Sequence, residues 1–339
     1  MNTKRLSMLG MALTAVLAAG TIDATRADEP PAASAPQVDR TQVLAISLDG
    51  LNPAAIRELG RERTPTLHRL LRHGAGTLNA RTQVEQTVTL PNHTSMVTGR
   101  RISAEHNGHG VTWNEDLPGT TVHEAAGEVV GSVFTAVHNA GGRTALFSTK
   151  AKFSLFDRSW PDSVNRSVIK EGRDAALVRA ARRDLVARER SFRFLHLGLA
   201  DATGHAHGWM SKEYLAAVES LDHLVGTLLR TITKHDSLKR TVVVLTADHG
   251  GVPGTKNHTD TRKRANYRVP FVIWGAGVSH GDLYEMNPTY ADPGKEQVGF
   301  KGTQPIRNGD VANLAADLLG IPAVSESLWN ADQALTWRD

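Results

Sequence analysis

Short apolar runs recur along this chain, each closed by an acid or a glycine and most followed by a segment of helical spacing. Val43 to Leu48 (VLAISL) is the first, and it ends at Asp49-Gly50 as a buried parallel strand would. Thr64-Pro65 then opens an apolar-periodic segment that stops at His73-Gly74, a helix with proline in its first turn and glycine at its end. Glu124 to Ala140 reads as a helix ending at Gly141-Gly142, Arg143 to Ser148 as a strand, and Asp174 to Arg188 as a helix. Three further runs, Phe192 to Leu199, Thr241 to Thr246 and Val269 to Trp274, read as strands, the first two leading into Asp201 and Asp248. A helix from Lys212 to about Lys234 separates those two, and another from Asp310 to Leu319 closes the chain before Gly320. This alternation predicts an α/β fold with a mainly parallel sheet covered by helices on both faces. The stretch from Ser279 to Gln304 lacks such a pattern and reads as a long irregular loop.

The beginning of the chain is patterned differently. Lys4 and Arg5 precede an apolar run from Leu6 to Gly20 and a small-residue stretch ending at Thr25-Arg26-Ala27, which reads as a cleavable export signal over 1–27. The run falls short of the roughly twenty apolar residues a bilayer span needs, so no membrane span is expected once the signal is removed. Residues 28–42, with Pro30, Pro31 and Pro36, read as a linker, and 43–339 as a single catalytic domain. The expected location is outside the cytoplasm, periplasmic or secreted.

Composition narrows the chemistry. The 339 residues are 40% apolar and 22% charged, enough for one large core. Loss of Lys4, Arg5, Arg26 and Asp23 with the signal leaves 36 basic against 34 acidic residues, a formal charge of +2. That near balance, without basic runs interleaved with aromatics, gives no nucleic-acid-binding surface. There is no cysteine. Metal ligands must therefore come from His, Asp and Glu, a donor set that suits zinc as well as harder cations.

In an open α/β sheet, ligands bind beyond the carboxyl ends of the strands. Asp49, Asp201 and Asp248 are expected at that edge. One such acid is commonly a turn residue; three, each near a histidine or hydroxyl, point to a site. Asp201 and His205 flank a glycine, Gly204, which would let the backbone bend so that both reach one ion, and His207 then reads as a supporting or structural histidine. Asp248-His249 is followed by Gly250-Gly251, which would permit the immediate turn that two adjacent ligands need. Thr87 to Gly99 reads as a loop entering a short helix with Pro91 in its first turn. Thr89 there could cap the helix or place its hydroxyl where free amides and the helix dipole favour a phosphate.

Taken in order, Asp49-Gly50, Thr89-Leu90-Pro91-Asn92, His109-Gly110 with Asn114, Asp201 to His205, Asp248-His249-Gly250 and His258 resemble the motif set of the alkaline phosphatase superfamily. Within it, the similarity is to the type I phosphodiesterase and nucleotide pyrophosphatase branch. The resemblance implies two divalent metal ions, zinc by donor chemistry. Asp49, Thr89, Asp248 and His249 would hold one, and Asp201, His205 and His258 the other. It also implies Thr89 as nucleophile, with Asn114 and the Leu90 N–H binding a non-bridging phosphate oxygen and Asn107 as the alternative to Asn114. His258 is followed by Thr259 where the family often has glycine. A threonine hydroxyl needs a metal to lower its pKa, so the implied reaction passes through a phospho-threonine.

The implied partner is a small-molecule phosphate ester, a phosphodiester or pyrophosphate being favoured. Lys150-Ala-Lys152 follows the strand RTALFS and loosely resembles the Lys-x-Arg pair of threonine-type monoesterases, though a second lysine cannot grip phosphate with a bidentate fork. Both lysines are candidate substrate-binding residues; the plain alternative is that they are solvated. A phosphomonoesterase and a phosphomutase or phosphotransferase are the competing activities. Thr89 counts against a sulfatase, because the formylglycine nucleophile of those enzymes derives from Cys or Ser.

Overall fold

The computed structural model describes residues 41–338. The expected signal and nearly all of the expected linker lie outside the described residues.

Among the described residues eight strands form one sheet: β1 (Gln42–Leu48), β2 (Ala75–Arg81), β3 (Thr144–Ser148), β4 (Ser167–Ile169), β5 (Phe192–Leu197), β6 (Thr241–Thr246), β7 (Arg268–Gly275) and β8 (Gly281–Asp282). Their order is β4-β3-β5-β1-β6-β7-β2-β8. The block β4-β3-β5-β1-β6 is parallel throughout, whereas β7 pairs antiparallel with both neighbours, so one strand of the mainly parallel sheet is reversed. β1 sits at the centre because its side chains are apolar on both faces; Val43, Leu44, Ile46 and Leu48 are all buried. Each such side chain contributes about 1.5–3 kcal/mol by leaving water.

Helices cover both faces. Pro53–Arg63, Pro65–His73, Asp174–Ala187 and the long Lys212–Lys234 pack together on one side, and Thr89–Thr98, Val133–Asn139 and Val311–Leu318 on the other. Among the described residues no helix is long and apolar enough to cross a membrane.

Several expected boundaries hold: Pro65–His73, Lys212–Lys234 and Thr241–Thr246 occur with the expected ends. The helix expected over 124–140 is instead two short helices, Val122–Ala126 and Val133–Asn139. Gly127 ends the first in a left-handed conformation (φ 75°), and Ser132 opens the second with a reciprocal capping box. The stretch read as irregular, 279–304, adds β8 and a short helix, Leu283–Met286, against β2, and its carbonyls bind the buried Arg81.

Candidate active site

The carboxyl ends of the central strands converge as the sheet predicts. Asp49 follows β1 directly and Asp248 follows β6 after Ala247. Asp201 arrives differently: β5 stops at Leu197, and Asp201 lies in the first turn of the helix Leu199–His207, its N–H donating to the Asp49 carbonyl at 3.0 Å. Asp201 and His205 are therefore one helical turn apart on one face, and no bend at Gly204 is involved.

The glycines serve close approach. A Cβ on Gly204 would stand 2.6 Å from the Trp209 ring, one on Gly251 2.1 Å from the same ring, and one on Gly250 2.2 Å from the Ala265 carbonyl oxygen. Neither Gly250 nor Gly251 has positive φ, so the turn expected after His249 is made by packing rather than by left-handed backbone. Gly50 does need its positive φ of 72°. Its N–H donates to Asp248 Oδ1 at 3.0 Å, and its carbonyl accepts from Trp209 Nε1 at 2.9 Å and Tyr214 Oη at 2.7 Å.

Two ligand groups result. Asp201, His205 and His258 offer atoms within 4.8 Å of one another, and so do Asp49, Asp201 and His249. Asp201 thus belongs to both groups. Asp248 adds an oxygen 3.2 Å from His249 Nε2. The histidine tautomers are fixed from behind: Nδ1 of His205, His249 and His258 faces the carbonyls of Lys256, Gly250 and Thr87 at 2.9, 2.9 and 2.6 Å. Each Nδ1 must donate, which leaves each Nε2 as a bare lone pair. His205 Nε2 and His258 Nε2 face each other at 3.2 Å; the hydrogen bond to Asp201 raises the His205 pKa, whereas burial lowers that of His258. Asp49 Oδ1, Asp201 Oδ1, Asp248 Oδ2 and His249 Nε2 are buried without a hydrogen-bond partner. Three carboxylates, three imidazole lone pairs and four orphaned atoms are a fit for divalent cations.

The charges respond accordingly. Burial alone would raise the Asp49 pKa, but Lys150, His196 and His249 hold it well below the usual carboxylate range. Burial and the charge of Asp49 push Asp248 well above it, since a third buried carboxylate lacks a counter-charge of its own. Burial, then His249, depresses His258 to about 3, in keeping with a neutral ligand imidazole.

Thr89 is the first residue of the helix Thr89–Thr98, whose end at Gly99 is left-handed (φ 67°). Asn92 holds the entry by bonding the Gln83 N–H and the Gln86 and Val88 carbonyls. Among the described residues the Thr89 hydroxyl has one hydrogen-bond partner, Lys150 Nζ at 3.4 Å. Neighbouring hydroxyls are committed elsewhere, Thr87 to the His258 carbonyl and Thr94 to the Leu90 carbonyl. Asn114 Oδ1 accepts from the Leu90 N–H at 3.0 Å, so that pair is assembled beside Thr89. Asn107 sits exposed at a left-handed cap after the turn Ala104–His106 and has no such contact.

Lys150 corrects the solvated reading. Its side chain is 17% exposed, and its Nζ bridges Asp49 Oδ2 at 2.6 Å and Asp201 Oδ2 at 2.7 Å. It takes one oxygen of each carboxylate and leaves the Oδ1 atoms free. Lys152 is half-buried and makes no ion pair among the described residues, though its pKa is lowered by burial and then by Lys150. His207 is exposed and supports nothing in the cluster.

Three residues of the site escaped the sequence reading. His196 Nε2 donates to Asp49 Oδ2 at 2.8 Å, His93 contacts the Thr89 carbonyl and Ser47 Oγ, each at 2.8 Å, and Trp209 forms the wall beneath His205 and His258. The signals were a histidine inside the apolar strand FRFLHL and another four residues after Thr89.

The mainly parallel sheet, with an unsaturated Asp/His cluster and a helix-borne hydroxyl at its edge, is an alkaline-phosphatase-like fold. Residues 43–265 match the model of the type I phosphodiesterase / nucleotide pyrophosphatase family, and the chain belongs to that family. Murine ectonucleotide pyrophosphatase / phosphodiesterase 5, solved as an inactive threonine-to-alanine variant in complex with AMP, superposes with a TM-score of 0.62. It is 13% identical, over 87% of this chain and all of that one. A lipoteichoic acid synthase from Listeria monocytogenes has a TM-score of 0.56 at 14% identity over 86% of this chain and 74% of that one. GPI ethanolamine phosphate transferase 1 of Mus musculus is 25% identical over 301 residues, 81% of this chain and 30% of the relative. That of Chaetomium globosum is 33% identical over 143 residues, 40% of this chain and 15% of the relative. The chain thus spans less than a third of the length of these curated relatives.

Proposed function

We propose that this protein is an exported hydrolase of phosphodiesters or pyrophosphates whose nucleophile is Thr89. The observation that carries the reading is the Thr89 hydroxyl at a helix N-terminus beside the assembled Leu90 N–H and Asn114 pair, facing carboxylates and imidazoles left unsaturated.

Asp49, Thr89, Asp248 and His249 would hold one divalent ion, and Asp201, His205 and His258 the other, zinc being the match to this donor set. When bound, the ions supply the positive charge that lowers the pKa of a hydroxyl and offsets charge on a leaving oxygen. The chain does the rest. On substrate binding the Leu90 N–H would exchange Asn114 Oδ1 for a non-bridging oxygen, to which the Asn114 side-chain amide N–H would also donate, and so orient phosphorus against Thr89 Oγ1. The Thr89 Oγ1–P bond forms as the bond to the departing oxygen breaks, and water then cleaves the phospho-threonine. Lys150, held by Asp49 and Asp201, keeps an ammonium beside the attacking oxygen. A single ammonium with no bidentate fork favours a singly charged diester over a dianionic monoester.

Quenching a reaction with an aryl phosphodiester and mapping the adduct by mass spectrometry should place the added phosphoryl group on Thr89. Thr89→Ala should show no adduct and roughly a thousandfold or greater loss of turnover. An adduct elsewhere, or near-normal turnover in the variant, overturns the assignment.

The curated relatives named ethanolamine phosphate transferases support a second reading, in which an acceptor alcohol takes the phosphoryl group from Thr89 in place of water. Adding ethanolamine or a glycoside during turnover distinguishes the two. Products partitioned mainly to the alcohol at millimolar acceptor favour transfer, and products partitioned to water favour hydrolysis.

A further inference from the structure

Three buried arginines stand in a row across one side of the sheet. Arg268 opens β7 and pairs with Arg81 on β2, which also bridges to Arg307. Directly opposed residues of an antiparallel pair share a face, where like charges repel. Two of the three are saturated. Arg81 donates to the Glu296, Asn79 and Gly294 carbonyls at 2.7, 2.7 and 3.1 Å. Arg307 donates to the Thr82 carbonyl at 2.8 Å and lies over the Trp329 ring.

Arg268 is treated differently. It is 9% exposed, its Nε is buried without a partner, and its side chain makes no hydrogen bond or ion pair among the described residues. Arg264 lies one helical turn earlier, and its Nε is likewise buried and unpartnered. An Arg264 Nη2 atom shares the Asn79 Oδ1 acceptor with Arg81, at 3.2 and 3.1 Å. Burial, then the charges of Arg264, Arg57 and Arg81, depress Arg268 to about 10; each charged group acting on it is a cation. A fold that satisfies Arg81 and Arg307 with carbonyls has left Arg268 and Arg264 with donors to spare.

We propose that Arg268 and Arg264, with the exposed Arg57 beside them, form a second oxyanion site that takes a phosphate group. Guanidinium forks match phosphate oxygens in pairs, and with Asp292 already bonded to Asn79 and to the Gly294 N–H, the mutual repulsion of the three cations favours a multiply charged anion over a carboxylate. The choice of phosphate rests on the phosphoester reading above. The site lies at the active edge: Gly250, next to His249, packs against the Ala265 carbonyl, and its N–H donates to the Asn266 carbonyl at 2.8 Å. Its occupant is therefore either released inorganic phosphate or the second phosphate of a pyrophosphate-type substrate.

Titrating inorganic phosphate into metal-loaded and chelator-treated protein, with thermal stability as the readout, tests this apart from turnover. Phosphate should raise the melting temperature in both, and Arg268→Met should weaken the apparent affinity of the chelator-treated protein about tenfold or more. An identical phosphate response in wild type and Arg268→Met, or none in chelator-treated wild type, overturns the proposal. Should Arg268→Met fail to fold, Arg264→Gln provides the same comparison. Steady-state kinetics separates the sources. If a substrate phosphate occupies the site, Arg268→Met raises KM for a pyrophosphate substrate about tenfold more than for a diester with a neutral second substituent; if free phosphate does, it weakens product inhibition instead. Phosphate binding without any ester turnover would sink the functional reading and leave this site standing.

Discussion

Asp184 and Asp201 are buried to the same degree, 5% and 4% exposed, yet their surroundings follow opposite rules. Asp184, on the helix Asp174–Ala187, receives Arg190 Nε and Arg193 Nε at its Oδ1, each at 2.9 Å, and Arg190 again at its Oδ2. Arg193 in turn spends its other donors on Gln42 and on backbone carbonyls. Every partner is already there, and the cluster closes on itself. Asp201, with Asp49 and Asp248, keeps an oxygen facing imidazole nitrogens and other carboxylates. Burial of charge is costly either way. Where the chain supplies all counter-charges the result is a structural joint; where it withholds some, the unsaturated atoms could hold cations.

The sharpest way to break this contrast is to remove one member of each cluster. Asp201→Ala should cost phosphodiester turnover about a thousandfold or more, because it removes a proposed ligand of one ion and one of the two carboxylates that hold Lys150, while circular dichroism shows the fold retained. Asp184→Ala should do the reverse. It strands two buried guanidinium groups and should lower stability by about 3–5 kcal/mol in urea unfolding, with metal content and kcat of the folded protein unchanged. If both variants lost activity equally, or both only stability, the distinction between the clusters would be wrong.

Asp310 sharpens the comparison with a third solution, protonation. Burial raises its pKa to about 7, against the lowering effects of the Arg307 N–H and the Arg307 charge. The folded state therefore holds a proton that the unfolded state releases above about pH 4. The associated stability is complete below that pH and is lost as pH rises through about 7, on the order of 2 to 4 kcal/mol. Asp310→Asn should lack this component, so that the difference in unfolding free energy between wild type and variant changes across pH 4.5 to 7.5. A constant difference would show that Asp310 is ionised when folded.

The parts of the molecule legible in the sequence are those where local pattern and global role agree. β1, β5 and β6 are buried on both faces, so they appear as unbroken apolar runs, and the acids beyond them mark the ligand edge. β2 was not legible, because AGTLNAR carries a glycine and an asparagine and is held by β7 on one side and 279–304 on the other. The break between Val122–Ala126 and Val133–Asn139 was hidden by an apolar period that continues across it. In the site, the candidate ligands could be read from ordered motifs, but the residues that support them could not. His93, His196 and Trp209 meet the ligands only through tertiary packing, and Gly204, Gly250 and Gly251 look like turn residues when they are clearances for neighbouring atoms. Lys150 was visible as a charge near the sheet edge; that it bridges Asp49 and Asp201 depends on where β3 lies relative to β1 and β5.

The central claim is that the unsaturated cluster is a divalent-metal site on which activity depends. Elemental analysis of the purified protein, paired with phosphodiester turnover before and after chelation, tests it most directly. The account predicts about two zinc ions per chain, loss of turnover on their removal, and recovery when zinc is returned. Full turnover in protein shown to be free of metal would contradict it.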